Sequence, residues 1–140
     1  MELKIFTDGG SRGNPGIAGG GVVVYHQDQV IFEQATFWGQ KTNNESEYLA
    51  FLAALDWLSN FSANNKLEKV AFFLDSKLVV EQINKKWQIK EPRLKEFAQQ
   101  AWQKISALPC SITVTHILRK DNAQADALAN QAMDTADENQ

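Results

Sequence analysis

Four acidic residues of this 140-residue chain occupy positions from which their carboxylates could act together. Asp8 and Asp75 each follow an apolar or alternating run that predicts a β-strand. Glu47 and Asp126 lie in the first turns of predicted helices. Such positions meet at one edge of a sheet, where α/β proteins bind ligands. Because four converging carboxylates repel one another unless cations intervene, the arrangement predicts a site for hard divalent ions such as Mg²⁺ or Mn²⁺.

Each acid also has a purely structural explanation. Asp8 could be a turn residue before a glycine-rich loop, and Asp75 could cap the next helix, although Ser76 can serve as that cap instead. Glu47 and Asp126 would complement the positive end of a helix dipole without any catalytic role. Individually these positions are weak signals, and only their combination favours a metal site.

The glycines are concentrated beside the first acid. All eight lie at or before Gly39, and seven fall between Gly9 and Gly21. Glycines let backbone amides approach a phosphate or a sugar closely. The segment lacks a Gly-x-x-x-x-Gly-Lys phosphate loop and is a poor match to a dinucleotide fingerprint. Asn43 and Asn44, before Glu47, could cap a helix, and their amides also suit recognition of hydroxyls or base edges.

Hydrophobic periodicity predicts the elements that position these residues. The predicted strands are Leu3–Asp8, Gly19–Tyr25, Val30–Trp38, Val70–Leu74 and Ser111–Ile117. The predicted helices are Asn43–Leu58, Ser76–Trp87, Leu94–Leu108 and Asn122–Met133. Three strands in succession predict an antiparallel meander, and the later alternation of strands and helices predicts a mixed sheet flanked by helices. The fold class is therefore α/β.

Composition bounds the class of protein. With 44% hydrophobic and 22% charged residues, the chain has the composition of one globular domain. We predict that this domain spans residues 1–133 and that residues 134–140 form a polar, frayed tail. The single cysteine, Cys110, excludes a disulfide scaffold. Without a signal pattern or an apolar run near ~18 residues, we expect a cytoplasmic protein with no membrane partner. The net charge of −3 argues against broad coating of nucleic acid but permits a local basic face.

The four acidic segments resemble the type 1 ribonuclease H family, which cleaves the RNA strand of RNA–DNA hybrids. The similar segments are Thr-Asp-Gly-Gly-Ser-x-Gly-Asn-Pro-Gly from Thr7, Thr-Asn-Asn-x-x-Glu from Thr42, Asp-Ser from Asp75, and His116 through Asn122 to Asp126. They occur in the family's order and spacing over nearly the whole chain, to about Met133. The resemblance implies a ribonuclease H-like fold, a five-stranded mixed sheet whose first three strands are antiparallel.

The resemblance also implies roles for individual residues. Two Mg²⁺ or Mn²⁺ ions and the scissile phosphate would be bound by four acids, namely Asp8, Glu47, Asp75 and Asp126. One ion would generate the attacking hydroxide and the other would stabilise the departing oxygen, which gives 5′-phosphate and 3′-hydroxyl ends. The 2′-hydroxyl would be recognised by Gly9, Gly10, Ser11, Asn43 and Asn44. Asn14 and Thr42 would form a phosphate pocket for the DNA strand.

The chain departs from some members of the family by lacking a basic insertion after the helix that follows the third acid. A partial substitute is the segment Lys85–Lys95, where five basic residues face one acid, Glu91. Trp87 within it could contact the nucleic-acid backbone. An amphipathic helix end with Trp87 in the core explains the same pattern.

A second departure concerns the residue that assists proton transfer or product release, a loop histidine in some members. His116 has the matching separation from Asp126, but it could instead end a strand and point into the structure. Arg119 is then the alternative, and as an arginine it could only orient or hold a phosphate.

The leading hypothesis is a metal-dependent endonuclease that acts on RNA–DNA hybrids as a monomer. One alternative keeps the fold but also accepts double-stranded RNA. The other is a non-catalytic hybrid-binding module, which is disfavoured because all four acids are present.

Overall fold

The strand-forming runs assemble into one mixed sheet with helices packed on its faces. The structure, a computed structural model, describes residues 1–138. Its elements are β1 (Glu2–Gly13), β2 (Gly16–His26), β3 (Gln29–Lys41), α1 (Asn43–Ser62), β4 (Lys69–Leu74), α2 (Lys77–Ile83), α3 (Pro92–Ala107), β5 (Ser111–His116), a 3₁₀ turn (Arg119–Asp121) and α4 (Ala123–Glu138).

The sheet has the strand order β3-β2-β1-β4-β5. β1, β2 and β3 pair antiparallel, whereas β4 is parallel to β1 and β5 is parallel to β4. The predicted α/β architecture, with its first three strands antiparallel, is confirmed. In the parallel pair of β1 and β4, Thr7 lies opposite Leu74. Asp8 follows Thr7 and Asp75 follows Leu74, so the two acids are neighbours at one edge of the sheet.

Helices cover the sheet from both sides. On one side, α1 contributes the fully buried Tyr48, Phe51 and Leu55, which pack with Ile5 and Phe72 of the sheet, and α3 packs against α1. Burying side chains of this size stabilises the fold by roughly 1.5–3 kcal/mol each. On the other side, α4 packs against β1, β2 and β3 and carries Asp126, whereas Glu47 lies on α1. The acids therefore come from elements on both sides of the sheet.

The first hairpin is longer than the sequence predicts. β1 does not stop at Asp8, because Gly9 pairs with Gly20 and the ladder continues to Gly13 opposite Gly16. The prediction that Asp8 ends the strand is wrong, since glycines form ladder hydrogen bonds without showing any hydrophobic alternation. Close approach of α4 explains part of the glycine content: a Cβ on Gly21 would lie 2.3 Å from the carbonyl oxygen of Ala125.

Helix α2 ends at Ile83, four residues before the predicted end at Trp87. The Ile83 carbonyl accepts a hydrogen bond from the Trp102 indole N–H at 2.9 Å. Lys85 then takes the left-handed conformation, with φ of 62°. Trp87 consequently lies outside the helix, with 44% of its surface exposed, and the expectation of a core tryptophan is not met.

Helix α4 continues to Glu138, beyond the predicted end at Met133. Residues 134–138 are therefore helical, where the sequence predicted a frayed tail. Arg12 explains part of this order, because its guanidinium contacts the carboxylates of Asp134 and Asp137. The last two residues of the predicted tail, Asn139 and Gln140, lie outside the described residues. None of the helices within residues 1–138 is both long and apolar enough to cross a membrane.

Candidate active site

An open groove of about 530 Å³ lies at the sheet edge between the β1–β2 hairpin, the start of α1 and helix α4. The structure brings all four predicted acids to this groove, together with five further predicted site residues, namely Gly9, Gly10, Ser11, Asn43 and Asn44. Arg119 also lines it. The groove therefore combines carboxylates with backbone and side-chain amides on one surface.

The start of α1 holds Glu47 in place. Thr42 caps the helix: its Oγ1 accepts from the Glu45 N–H at 3.1 Å, and the Glu45 carboxylate accepts from the Thr42 N–H at 3.0 Å. Glu47 follows one turn into the helix, and its carboxylate accepts a hydrogen bond from the Gly9 N–H. A Cβ on Gly9 would lie 2.2 Å from the Ser46 carbonyl oxygen, so only glycine lets β1 pass this closely.

Asp8, Glu47 and Asp75 form the centre of the site. One carboxylate oxygen from each lies within 4.8 Å of the other two. Ser76, not Asp75, caps α2, because the Ser76 hydroxyl accepts from the Val79 N–H at 3.3 Å. The oxygen-only donor set fits a hard divalent ion such as Mg²⁺ or Mn²⁺.

Burial and mutual repulsion disfavour the charged forms of two of these acids. Burial raises the pKa of Asp8 to about 7; a hydrogen bond from Glu47 lowers it, whereas the charges of Asp75 and Asp126 raise it further. Burial also raises the pKa of Glu47 well above its ordinary value, and the neighbouring Asp8 adds to this effect. The cluster thus lacks positive charge from its own protein surroundings, which is what a bound cation would supply.

Asp126 approaches the cluster from α4. It contributes to the raised pKa of Asp8 through a side-chain hydrogen bond and its charge. Its Oδ1 lies 3.6 Å from the guanidinium of Arg119, whose side chain is 83% exposed. The side chain of Asp126 is 31% exposed, so this acid is more accessible than the buried Asp8 and Glu47.

Asn122 is a positioning residue that the sequence did not single out. Its side chain is buried, and its Nδ2 donates to the Asp75 carboxylate and to the Thr7 carbonyl, each at 2.9 Å. These bonds fix the third acid relative to β1. An asparagine just before a helix is ordinarily interpreted as a cap, so only its place in the His116-to-Asp126 segment could have indicated this contact.

Two hydrogen bonds to asparagine side chains join the β1–β2 hairpin to the start of α1. The Ser11 N–H donates to the Asn43 side-chain oxygen at 2.8 Å, and the Asn43 N–H donates to the Asn14 side-chain oxygen at 3.1 Å. Asn14 and Thr42 are not part of the groove lining; they lie beside it, at the contact between the hairpin and the helix. The predicted phosphate pocket would therefore be adjacent to the acids rather than among them.

Two further predicted residues do not line the groove. His116 ends β5 opposite Leu74, is half-buried and is not part of the groove lining. Trp87 lines a separate cavity of about 430 Å³ with Trp102 and basic residues that include Lys86 and Lys95. Of the two alternatives for the assisting residue, Arg119 is the one that the structure places beside an acid.

Comparison with known proteins gives consistent matches over the whole fold. A family model described as reverse transcriptase-like matches residues 6–132. The bifunctional protein Rv2228c of Mycobacterium tuberculosis is 41% identical over 138 residues, covering 97% of this chain and 36% of that protein. Its N-terminal RNase H domain, solved as a maltose-binding protein fusion, superposes with a TM-score of 0.89 at 39% identity, covering 99% of this chain and 97% of that chain. The chain thus spans about a third of the length of the first curated relatives.

Two further proteins are similar to this chain over almost their whole length. The ribonuclease H of Ruthia magnifica subsp. Calyptogena magnifica is 35% identical, covering 95% of this chain and 96% of that protein. LC11-RNase H1, solved in complex with an RNA/DNA hybrid, has a TM-score of 0.88 and 40% identity, covering 96% of this chain and 98% of that chain. On this evidence, and with the acids in the family's order, the chain belongs to the type 1 ribonuclease H family of nucleases.

Proposed function

We propose that this protein is an endoribonuclease that hydrolyses the RNA strand of RNA–DNA hybrids with two Mg²⁺ or Mn²⁺ ions, leaving 5′-phosphate and 3′-hydroxyl ends. The observation that carries the proposal is the approach of Asp8, Glu47 and Asp75 within 4.8 Å beside an amide-rich hairpin. The hybrid-bound structure of a relative with 40% identity supports the choice of substrate.

The four acids divide into fixed and more open ligands. Asp8, Glu47 and Asp75 would hold the ions deepest in the groove, with Glu47 fixed by the Gly9 N–H and Asp75 by Asn122. Asp126 would complete the set from α4. When bound, two divalent ions supply a nucleophilic hydroxide and stabilise the departing 3′ oxygen. Arg119 would hold a phosphate oxygen, because a guanidinium cannot serve as a general base.

Selection of RNA requires recognition of the 2′-hydroxyl. The backbone of Gly9–Ser11 and the side chains of Asn43 and Asn44 line the same groove as the acids and are the groups that we assign to this task. Asn14 and Thr42, at the contact between the hairpin and α1, would bind a phosphate of the DNA strand. Two divalent ions would more than offset the chain's net charge of −3, so the loaded enzyme would not repel the substrate.

The segment Lys85–Lys95 would provide a second contact with the hybrid. Trp87 is 44% exposed there, and the Lys85 ammonium makes a cation–π contact 4.8 Å from the centre of the Trp102 ring. We also propose that residues 1–133 form the catalytic domain and that the protein acts as a monomer in the cytoplasm. All four acids of the groove come from a single chain, which supports a monomeric active unit.

The test is cleavage of end-labelled substrates by the purified protein. An RNA–DNA hybrid, its single strands, duplex RNA and duplex DNA are incubated with Mg²⁺, with Mn²⁺ and with chelator. We expect metal-dependent cutting of only the RNA strand of the hybrid, with 3′-hydroxyl ends that a polymerase can extend.

Two variants control the experiment. Asp75→Asn should be inactive, which excludes a contaminating nuclease. Asp28→Asn makes the same chemical change in the exposed β2–β3 turn and should cut like the wild type. Binding of the hybrid without cutting would instead support a non-catalytic module, and cutting of duplex RNA would widen the substrate class.

A further inference from the structure

Asn130 lies one helical turn after Asp126 on α4 and faces the groove. Its Nδ2 donates to the Asp126 carboxylate Oδ2 at 3.3 Å and to the Asp126 carbonyl at 3.1 Å. Its Oδ1 accepts from the guanidinium of Arg12 at 3.4 Å. The amide therefore bridges the fourth acid and the β1–β2 hairpin.

Arg12 determines which way this amide points. A guanidinium has only donors, so it can contact the Asn130 side chain only through the amide oxygen, which leaves the amide N–H for Asp126. Arg12 is itself held on α4 by Asp137, at 2.6 Å, and by Asp134. The orientation of the Asn130 amide follows from a chain of contacts that joins the hairpin to the last turns of α4.

The same kind of contact recurs at two other acids of the groove. Glu47 accepts from the Gly9 N–H, and Asp75 accepts from the Asn122 amide. Asp126 is more exposed than Glu47, since 31% of its side-chain surface is accessible, and the largely exposed Arg119 is among its neighbours. Besides the hydrogen bond that it shares with Asp8, Asp126 receives a neutral N–H only from the Asn130 amide among the side-chain hydrogen bonds of residues 1–138.

We propose that Asn130 is a positioning residue that orients the carboxylate of Asp126 for a divalent ion, with Arg12 holding the Asn130 amide. The inference rests on the proposed function of the groove. Donors that orient a metal-binding carboxylate typically contribute a factor of about 10–100 in metal affinity or activity. The amide contacts Oδ2 of Asp126, whereas Oδ1 lies 3.6 Å from the guanidinium of Arg119, whose side chain is 83% exposed.

The test compares Asn130→Ala with Gln131→Ala. Both variants replace an amide side chain by alanine on adjacent positions of α4, and Gln131 is exposed. Two quantities are measured for each protein: the Mg²⁺ concentration at the midpoint of the rise in Tm, and kcat and KM for the hybrid as a function of Mg²⁺. The first reports metal binding without any need for cleavage.

For Asn130→Ala we expect both Mg²⁺ midpoints to rise about tenfold, KM for the hybrid to stay within about twofold, and kcat to recover at high Mg²⁺. Gln131→Ala should match the wild type. A merely structural role would change Tm without moving the Mg²⁺ midpoint, and this result would overturn the inference. A raised KM with an unchanged midpoint would also overturn it, because Asn130 would then contact the substrate.

The two hypotheses fail separately. If the wild type binds Mg²⁺ but does not cut the hybrid, the proposed function is refuted, while the shift of the Tm midpoint still decides the role of Asn130. If the wild type cuts and Asn130→Ala has an unchanged midpoint, only the inference about Asn130 is refuted.

Discussion

The two faces of the sheet are packed in opposite ways. On the face covered by α1 and α3, large apolar side chains such as Phe51 and Phe72 are fully buried. On the face covered by α4, backbone approaches backbone: a Cβ on Gly21 would lie 2.3 Å from the Ala125 carbonyl oxygen. The first face stabilises the fold by apolar burial, whereas the second brings α4 close enough for Asp126 to join the acids.

The fold holds the acidic site together against its own charge repulsion. The raised pKa of Asp8, about 7, and the raised pKa of Glu47 show that burial and neighbouring carboxylates disfavour the ionised cluster. Stability for this arrangement must come from elsewhere in the fold, chiefly the apolar face. Substitutions on the two faces should therefore separate activity from stability.

The largest effect is expected for Asp75→Asn, which should abolish hybrid cleavage. The asparagine oxygen can still accept from Asn122, and one charge of the repelling cluster is removed, so Tm in metal-free buffer should stay the same or rise. Cleavage assays and thermal melts of this variant and of Asp28→Asn measure the two effects. A clear fall in Tm for Asp75→Asn alone would mean that Asp75 has a structural role.

Leu55→Ala tests the apolar face. Leu55 is fully buried in α1, so its truncation should lower the free energy of unfolding by about 2–5 kcal/mol through lost burial and a cavity. Leu118→Ala makes the same change at a 57% exposed leucine and should cost less than about 0.5 kcal/mol. Denaturant unfolding gives both values. If Leu55→Ala loses most of its kcat under conditions where it remains folded, the apolar face contributes to activity as well as to stability.

Gly21→Ala tests the close approach of α4. The added Cβ would displace backbone, so we expect a loss of about 1–3 kcal/mol together with weaker Mg²⁺ binding as Asp126 moves. Gly10→Ala is the matched control for stability, because its Cβ would meet only the flexible end of Met133, at 3.5 Å. Equal stability losses for the two variants would show that α4 adapts to its neighbours and does not depend on glycine.

The pH dependence of stability should follow the raised pKa of Asp8. A carboxyl group whose pKa is higher in the folded protein stabilises the fold while it is protonated, and that contribution is lost as pH rises from about 4 to about 7. In chelator, the free energy of unfolding should therefore fall over this range by an amount on the order of 1 kcal/mol per pH unit. Urea unfolding at several pH values measures the slope, which Asp75→Asn should reduce because Asp75 contributes to the raised pKa. A flat profile would mean that the pKa of Asp8 is not raised in the folded protein, whereas an unchanged slope in Asp75→Asn would mean that Asp75 does not contribute to the shift.

The sequence alone predicted the fold class and the four acids because both depend on local patterns. Alternating runs identify strands, and an acid that follows an apolar run or lies at a helix start has few possible positions in an α/β fold, although β1 continues past Asp8. The glycine hairpin was missed because glycine contributes no periodicity, although its backbone pairs from Gly9 to Gly13.

Contacts between distant residues could not be predicted in the same way. The order of the last turns of α4 depends on Arg12, more than 120 residues away in the chain from Asp134 and Asp137. Asn122 contacts Asp75 across 47 positions of sequence. Neither residue has a local signal that separates it from an ordinary surface arginine or a helix cap.

The most direct test of the account is calorimetric titration of Mg²⁺ into the wild type at pH 7, repeated in two buffers with different ionisation enthalpies. Because Asp8 has a pKa of about 7 and that of Glu47 is well raised, binding at these acids must displace protons. We predict saturable binding with net proton release, which Asp75→Asn should weaken strongly. Absence of binding, or binding with no proton release, would contradict the claim that divalent ions compensate a buried cluster of repelling carboxylates.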